Sequence, residues 1–168
     1  MNGLNGTRRL ASPVRLTLAR QLGADIDGAW WPHTGSVANE LPELVGVLHR
    51  SLGEVVDIRV NWSAAEGQLD LDSIVTGTRG PAGMKVSRPR LMMVAGRHAC
   101  VKLLVVPCKT SVALGGLVMR CAAAMPVEEA ARLTPLFDTA DRVLQVAQIE
   151  SARWLGNLQD PAENAQVK

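Results

Sequence analysis

Tyrosine is missing from this 168-residue sequence, phenylalanine occurs once, and four tryptophans carry nearly all of the aromatic surface. No aromatic residue lies between Trp62 and Phe137, so that long stretch offers no ring on which a single-stranded base could stack. The three cysteines, Cys100, Cys108 and Cys121, are odd in number and lack C-x-x-C spacing, which excludes a disulfide framework and a zinc knuckle and leaves free thiols. No run approaches the roughly 18 apolar residues that cross a bilayer. Met1 to Arg20 places charge and turn formers where a signal peptide is apolar, so we expect a cytoplasmic protein with no membrane partner. Histidine, cysteine and carboxylates nowhere cluster at metal-ligand spacing, and Gly77, Gly80 and Gly83 are not closed by Gly-Lys-Ser/Thr. We therefore expect no metal and no cofactor.

Acidic residues are absent from a second long interval. After Asp72 none occurs until Glu128, while Arg79, Lys85, Arg88, Arg90, Arg97, Lys102, Lys109 and Arg120 fall between. The net charge of +2 names no partner, but this distribution does raise one possibility. Arg79, Arg88 and Arg90 on strands and a loop form a candidate face for phosphates of nucleic acid or another anionic ligand. The competing reading pairs these bases with Asp57, Asp70 and Asp72 across neighbouring strands. No helix-turn-helix or zinc-finger pattern accompanies them.

The apolar residues that are present alternate in period two or recur in helical period. Val14, Leu16 and Leu18 read as a half-buried strand, followed by a turn-rich passage through Gly23, Asp27 and Gly28. Leu41, Leu44, Val45, Leu48 and Leu52 share a helix face that Pro42 opens and Gly53 ends, giving a helix over about 42–52 with no turn before the proline. Val56, Ile58, Val60 and Trp62 predict one strand, and Leu69 with Leu71 a second, before a loop at 76–83. Residues 85–94 and 99–106 predict a hairpin closed through Gly96, and the run Val101 to Val106 reads as a strand covered on both faces. A helix from Ser111 is weakened by Gly115 and Gly116. The clearest helix follows Thr134 and Pro135, with Leu136, Ala140, Val143, Leu144, Ala147 and Leu155 on one face.

These elements predict an α+β fold: a mostly antiparallel sheet of five or six strands with helices packed on it and a C-terminal helical extension. One domain over 12–156 is expected between flexible tails at 1–11 and 157–168, both polar and without hydrophobic period.

The most unusual string is Gly28-Ala29-Trp30-Trp31-Pro32. Neighbouring side chains on extended backbone point to opposite faces. The plainer reading makes both rings packing anchors. The functional reading buries one ring and sets the other on the rim of a surface depression, with Trp30, Trp31 and His33 as candidate binding residues. Together with Glu40-Leu41-Pro42-Glu43-Leu44-Val45 and Leu103-Leu104-Val105-Val106-Pro107, this string resembles an actinobacterial family of small cytoplasmic proteins of unknown function carrying a Gly-Ala-Trp-Trp-Pro motif. The resemblance runs from about Val14 to Ala124. It implies a bacterial cytoplasmic protein and supplies no activity, cofactor or catalytic residue. In that family a basic residue often follows the tryptophan-proline step, where His33 stands here. The stretch from Pro126 onward reads as an extension outside it.

A catalytic reading needs a nucleophile and a base, and the candidates are Cys108 beside Lys109 with His33, His49 or His98. No spacing joins them, so no catalytic residue is assigned. The leading expectation is a non-enzymatic protein-binding or regulatory domain, self-associating as a dimer through the helix over about 135–155. An anionic-ligand or nucleic-acid binder comes second, and a thiol-dependent or hydrolytic enzyme third.

Overall fold

Period-two strands and amphipathic helices can bury their apolar faces only against one another, and here they stack as helix, sheet, helix. A computed structural model describes residues 13–62 and 89–159, with side chains to 156. Among these the order is β1 (Leu16–Leu18), β2 (Gly28–Trp30), α1 (Val37–Leu52), β3 (Val55–Val60), β4 (Arg90–Gly96), β5 (Cys100–Val105), α2 (Val112–Ala122), α3 (Glu129–Arg132) and α4 (Pro135–Gln159). The expected strand at Leu69 and Leu71, the loop at 76–83, Arg79, Arg88 and the tail at 1–11 lie outside the described residues.

The described strands form one sheet in the order β1-β2-β5-β4-β3. The expected α+β fold is present. Pairings of β1 with β2, β4 with β5 and β3 with β4 are antiparallel, whereas β2 runs parallel to β5, Gly28 opposite Leu103 and Trp30 opposite Val105. On one face α1 lays Leu44, Leu48 and Leu52 over Trp30, Met92, Val94, Val101, Leu103 and Val105. On the other, α2 and α4 bring Leu114, Val118, Ala140, Val143 and Ala147 onto Ala29, Trp31, Leu91, Leu104 and Val106. The run Val101 to Val106 is thus covered on both sides, apart from the half-buried Lys102.

Four expectations are corrected. The passage around Gly28 is an interior strand, because the buried Asp27 carboxylate accepts the amides of Gly23 and Ala24 on Oδ1 and of Lys102 on Oδ2, at 2.8, 3.2 and 2.9 Å. Those bonds fix the turn on one side and β5 on the other. Helix α1 starts at Val37, ahead of Pro42; one missing amide bond near a helix start is tolerated where tertiary packing holds the preceding turn. Both tryptophans are buried, Trp30 at 2% and Trp31 at 6% exposure, on opposite faces of the sheet. Neither ring lines a rim. Ala140, Val143 and Ala147 of α4 are packed within their own chain, with Leu136, Leu144 and Leu155 half-buried. This helix also runs to Gln159, past the expected boundary at 156.

Burying a ring of this size contributes on the order of 4–6 kcal/mol from its apolar area. The Trp31 Nε1 finds no acceptor among the described residues, a cost of about 1–3 kcal/mol, so burial outweighs it. Room for that ring comes from α2. A Cβ on Gly115 would overlap the Trp31 six-membered ring, while one on Gly116 would meet nothing within 4 Å. Gly28 is required for a similar reason, since a Cβ there would strike the Thr17 carbonyl of β1.

Two neighbouring substitutions are therefore expected to act with opposite sign. Gly116→Ala should stabilise by about 1 kcal/mol through helix propensity. Gly115→Ala should instead cost about 1–2 kcal/mol, the displacement of Trp31 exceeding the same propensity gain. Urea unfolding of both variants measures this, and equal shifts would remove the steric argument. In the same assay, Trp30→Ala and Trp31→Ala should each cost about 3–5 kcal/mol.

Candidate functional site

Where adjacent parallel strands send the chain to opposite faces of a sheet, their carboxyl ends leave a crevice that covering helices cannot close. This molecule has one such place among the described residues. After β2 the chain crosses to α1 on one face, and after β5 it turns to α2 on the other. Pro32, Thr34, Gly35 and Val37 form one wall, Val105 to Cys108 the other, and Arg90 at the start of β4 completes the lining. The half-open space offers about 30 Å³ to a water-sized sphere, far below the roughly 300–1,000 Å³ of pockets that hold small ligands. It can seat one functional group of a larger molecule and cannot enclose a substrate.

The Thr34 wall is held by a carboxylate. Glu40, in the first turn of α1, accepts the His33 amide at 2.8 Å on Oε1, and the Thr34 amide and hydroxyl at 2.7 and 2.6 Å on Oε2. Burial alone would raise its pKa; the Thr34 hydroxyl, the two amides and the charge of His33 outweigh that and hold it below the ordinary carboxylate value. On the other side of the Trp31-Pro32 step, Arg15 donates from Nε to the Trp31 carbonyl at 3.1 Å and from a terminal nitrogen to the Pro32 carbonyl at 3.0 Å. Its guanidinium lies 3.9 Å from the Trp31 ring centroid, a cation–π contact. Burial lowers the Arg15 pKa, opposed by Glu40 and by Cys108, which places Arg15 within electrostatic reach of the crevice.

Arg90 is half-buried, with its guanidinium 5.5 Å from the Trp62 ring centroid. Cys108 is half-buried at the mouth, with Lys109 exposed beside it. Ser111 then caps α2 by accepting the Leu114 amide at 3.2 Å. A cation, a hydroxyl, a thiol and a positively polarised helix start thus gather at one end of the sheet.

Of the six candidate binding residues, Arg90 alone lines the crevice. Trp30 and Trp31 are in the two cores. His33 is exposed, its Nε2 2.7 Å from the Pro13 carbonyl oxygen, and Arg79 and Arg88 lie outside the described residues. None of the three histidines lines the crevice that holds Cys108; His49 in the last turn of α1 and His98 in the β4–β5 turn stand at the opposite end of the sheet. Of the expected cross-sheet pairing of bases, only the part at Asp57 falls within the described residues. Asp57 binds Arg59 of its own strand at 2.8 Å and Arg97 binds Glu54 at 2.7 Å, while Asp70 and Asp72 are outside the described residues. Sequence reasoning missed Thr34, Gly35 and Glu40. The string at 40–45 did hold one signal, an acid two residues before the proline, which has no role in a helix opening at Pro42.

Comparison with known proteins gives a family and nothing finer. The model of a family of unknown function (DUF5994) matches residues 15–122, nearly the span over which an uncharacterised family was expected. No curated protein and no solved structure matches the chain. The matched stretch holds both walls of the crevice and ends on the last residue of α2.

The depressed pKa of Glu40 sets a pH dependence. A folded-state value below the unfolded one contributes stability above the unfolded pKa, and this is lost as pH falls through the folded value. Glu40→Gln should be less stable than wild type at neutral pH by about 1 kcal/mol. The difference should close in acid once wild-type Glu40 is protonated. Urea midpoints measured across the acid range test this, and a gap independent of pH would show that the carboxylate charge is not what holds the Thr34 wall.

Proposed function

We propose that this chain, which belongs to the DUF5994 family of unknown function, is a non-enzymatic binding module that seats an acidic group of a protein partner where β2 and β5 end. The observation that carries this reading is the crevice between Thr34 and Cys108, with Arg90 in its lining, at the switch point of the sheet. Its size argues for an anchor on a partner's surface, since about 30 Å³ admits a carboxylate and leaves the rest of the ligand outside. Its charge argues for an anion: Arg90 and Lys109 stand on the strand and turn that frame it, and among the described residues no acid is in its lining. The walls argue against a moving catalytic site, because Arg15 and Glu40 tie the Trp31 to Thr34 segment at both ends.

A protein partner is favoured over nucleic acid because the opening is a point contact and, among the described residues, its lining holds no ring for base stacking. Neither tryptophan of the pair is at the surface.

The test is a ¹⁵N NMR titration with an acetylated tetraglutamate peptide. Saturable shifts are expected at Thr34, Gly35, Cys108 and Lys109, weakening as salt is added. Arg90→Gln should lower the affinity by about tenfold. If these amides do not respond to the peptide while duplex DNA or heparin moves them with a steep salt dependence, the ligand is a polyanion and the protein-partner reading fails.

A further inference from the structure

At the other end of the sheet, the turn after β1 and the end of α2 stand apart and leave a depression of about 890 Å³. That volume falls within the range that holds small organic ligands, roughly 300–1,000 Å³. Its base is apolar. Ile26 and Ala122 are almost fully buried in the α2–α4 core, Ala123 is buried next to them, and the exposed Met125 completes the apolar lining from beyond the end of α2. The polar groups sit at the rim, with the side-chain amides of Gln21 and Gln148 and, as the one charged side chain among the described lining residues, that of the exposed Arg20.

A helix end would ordinarily oppose an anion here, because its last carbonyls carry partial negative charge. Three of the last four carbonyls of this one are occupied. Met125 donates to the Arg120 carbonyl at 2.9 Å and Ala124, at φ 55°, to that of Cys121 at 3.1 Å, while the Thr17 hydroxyl donates to Met119 at 2.8 Å. This is the closed helix end that glycine commonly forms. Cys121 also lines the depression, and burial and the charge of Asp141 raise its thiol pKa, opposed by Arg132. That wall is accordingly neutral at physiological pH.

An apolar base with a single cation at the rim selects an apolar body ending in one negative charge. We infer that this depression binds a small amphipathic carboxylate, with its hydrocarbon part against Ile26, Ala122 and Met125 and its acid group at Arg20. The site is separate from the crevice beside Cys108 and shares no lining residue with it.

Octanoate is the probe, titrated into the ¹⁵N-labelled full chain. Saturable shifts are expected at Leu18, Ala19, Ile26 and Cys121 to Met125. Arg20→Gln should weaken binding about fivefold. Ala24→Trp, at an exposed position on the rim, should abolish it by filling the space, and Arg90→Gln should leave it unchanged. Absence of saturable shifts at these amides overturns the proposal, as does an Arg20→Gln variant that binds as tightly as wild type. Shifts confined to Thr34 and Cys108 would also overturn it, by assigning the anion to the other end of the sheet.

Discussion

One buried carboxylate fixes where the rest of this fold can go. Isolated in the interior, the charge of Asp27 would cost several kcal/mol. Here it accepts three backbone amides, two from the turn at Gly23 and Ala24 and one from Lys102 in β5. Its own amide donates to the Lys102 carbonyl at 2.8 Å. Such charge-assisted bonds are stronger than neutral ones, and they have a direction. They set β2 against β5 in one register, and in that register Trp30 meets α1 while Trp31 meets α2 and α4. A slip of one residue would exchange the two faces and place each ring in a core shaped for something else.

The two ends of the sheet inherit different chemistry from this arrangement. At the carboxyl ends of β2 and β5 the chain departs in opposite directions, and the gap is narrow because Arg15 and Glu40 brace the segment that leaves β2. Cationic and hydrogen-bonding groups collect there. At the amino ends the connection from β1 to β2 is longer and α2 stops short of it, so the opening is wide and its base apolar. A point of attachment and a receptacle are thus built from the same pair of strands.

How much of this the sequence disclosed depended on the range of the interactions. The β4–β5 hairpin, α2 after Ser111 and α4 after Thr134 rest on local periodicity and caps, and all were legible; the Thr134 hydroxyl does accept the Phe137 amide at 3.2 Å. Strand β2 was not. Three residues are too few for a period, and glycine with aspartate before them reads as a turn. The start of α1 was hidden by Pro42, because the bonds that hold the preceding turn come from a side chain, Glu40, that no propensity rule assigns to a loop. The crevice was legible only in part. Arg90 stood out through the missing acids around it, whereas Thr34 and Gly35 matter only because a strand unseen in the sequence delivers them to the end of β5.

The pairing of Asp27 with Lys102 spans 75 residues, and no hairpin can bring those residues together. Contacts of such range carry a large loop-closure cost and form slowly compared with local ones. The β4–β5 hairpin and α1 are assembled from nearby residues, so they are available as a template before β2 arrives. Until it does, neither indole of the pair has a core to enter. Docking of this short strand completes both hydrophobic layers at once, so the two faces of the sheet share one closing contact.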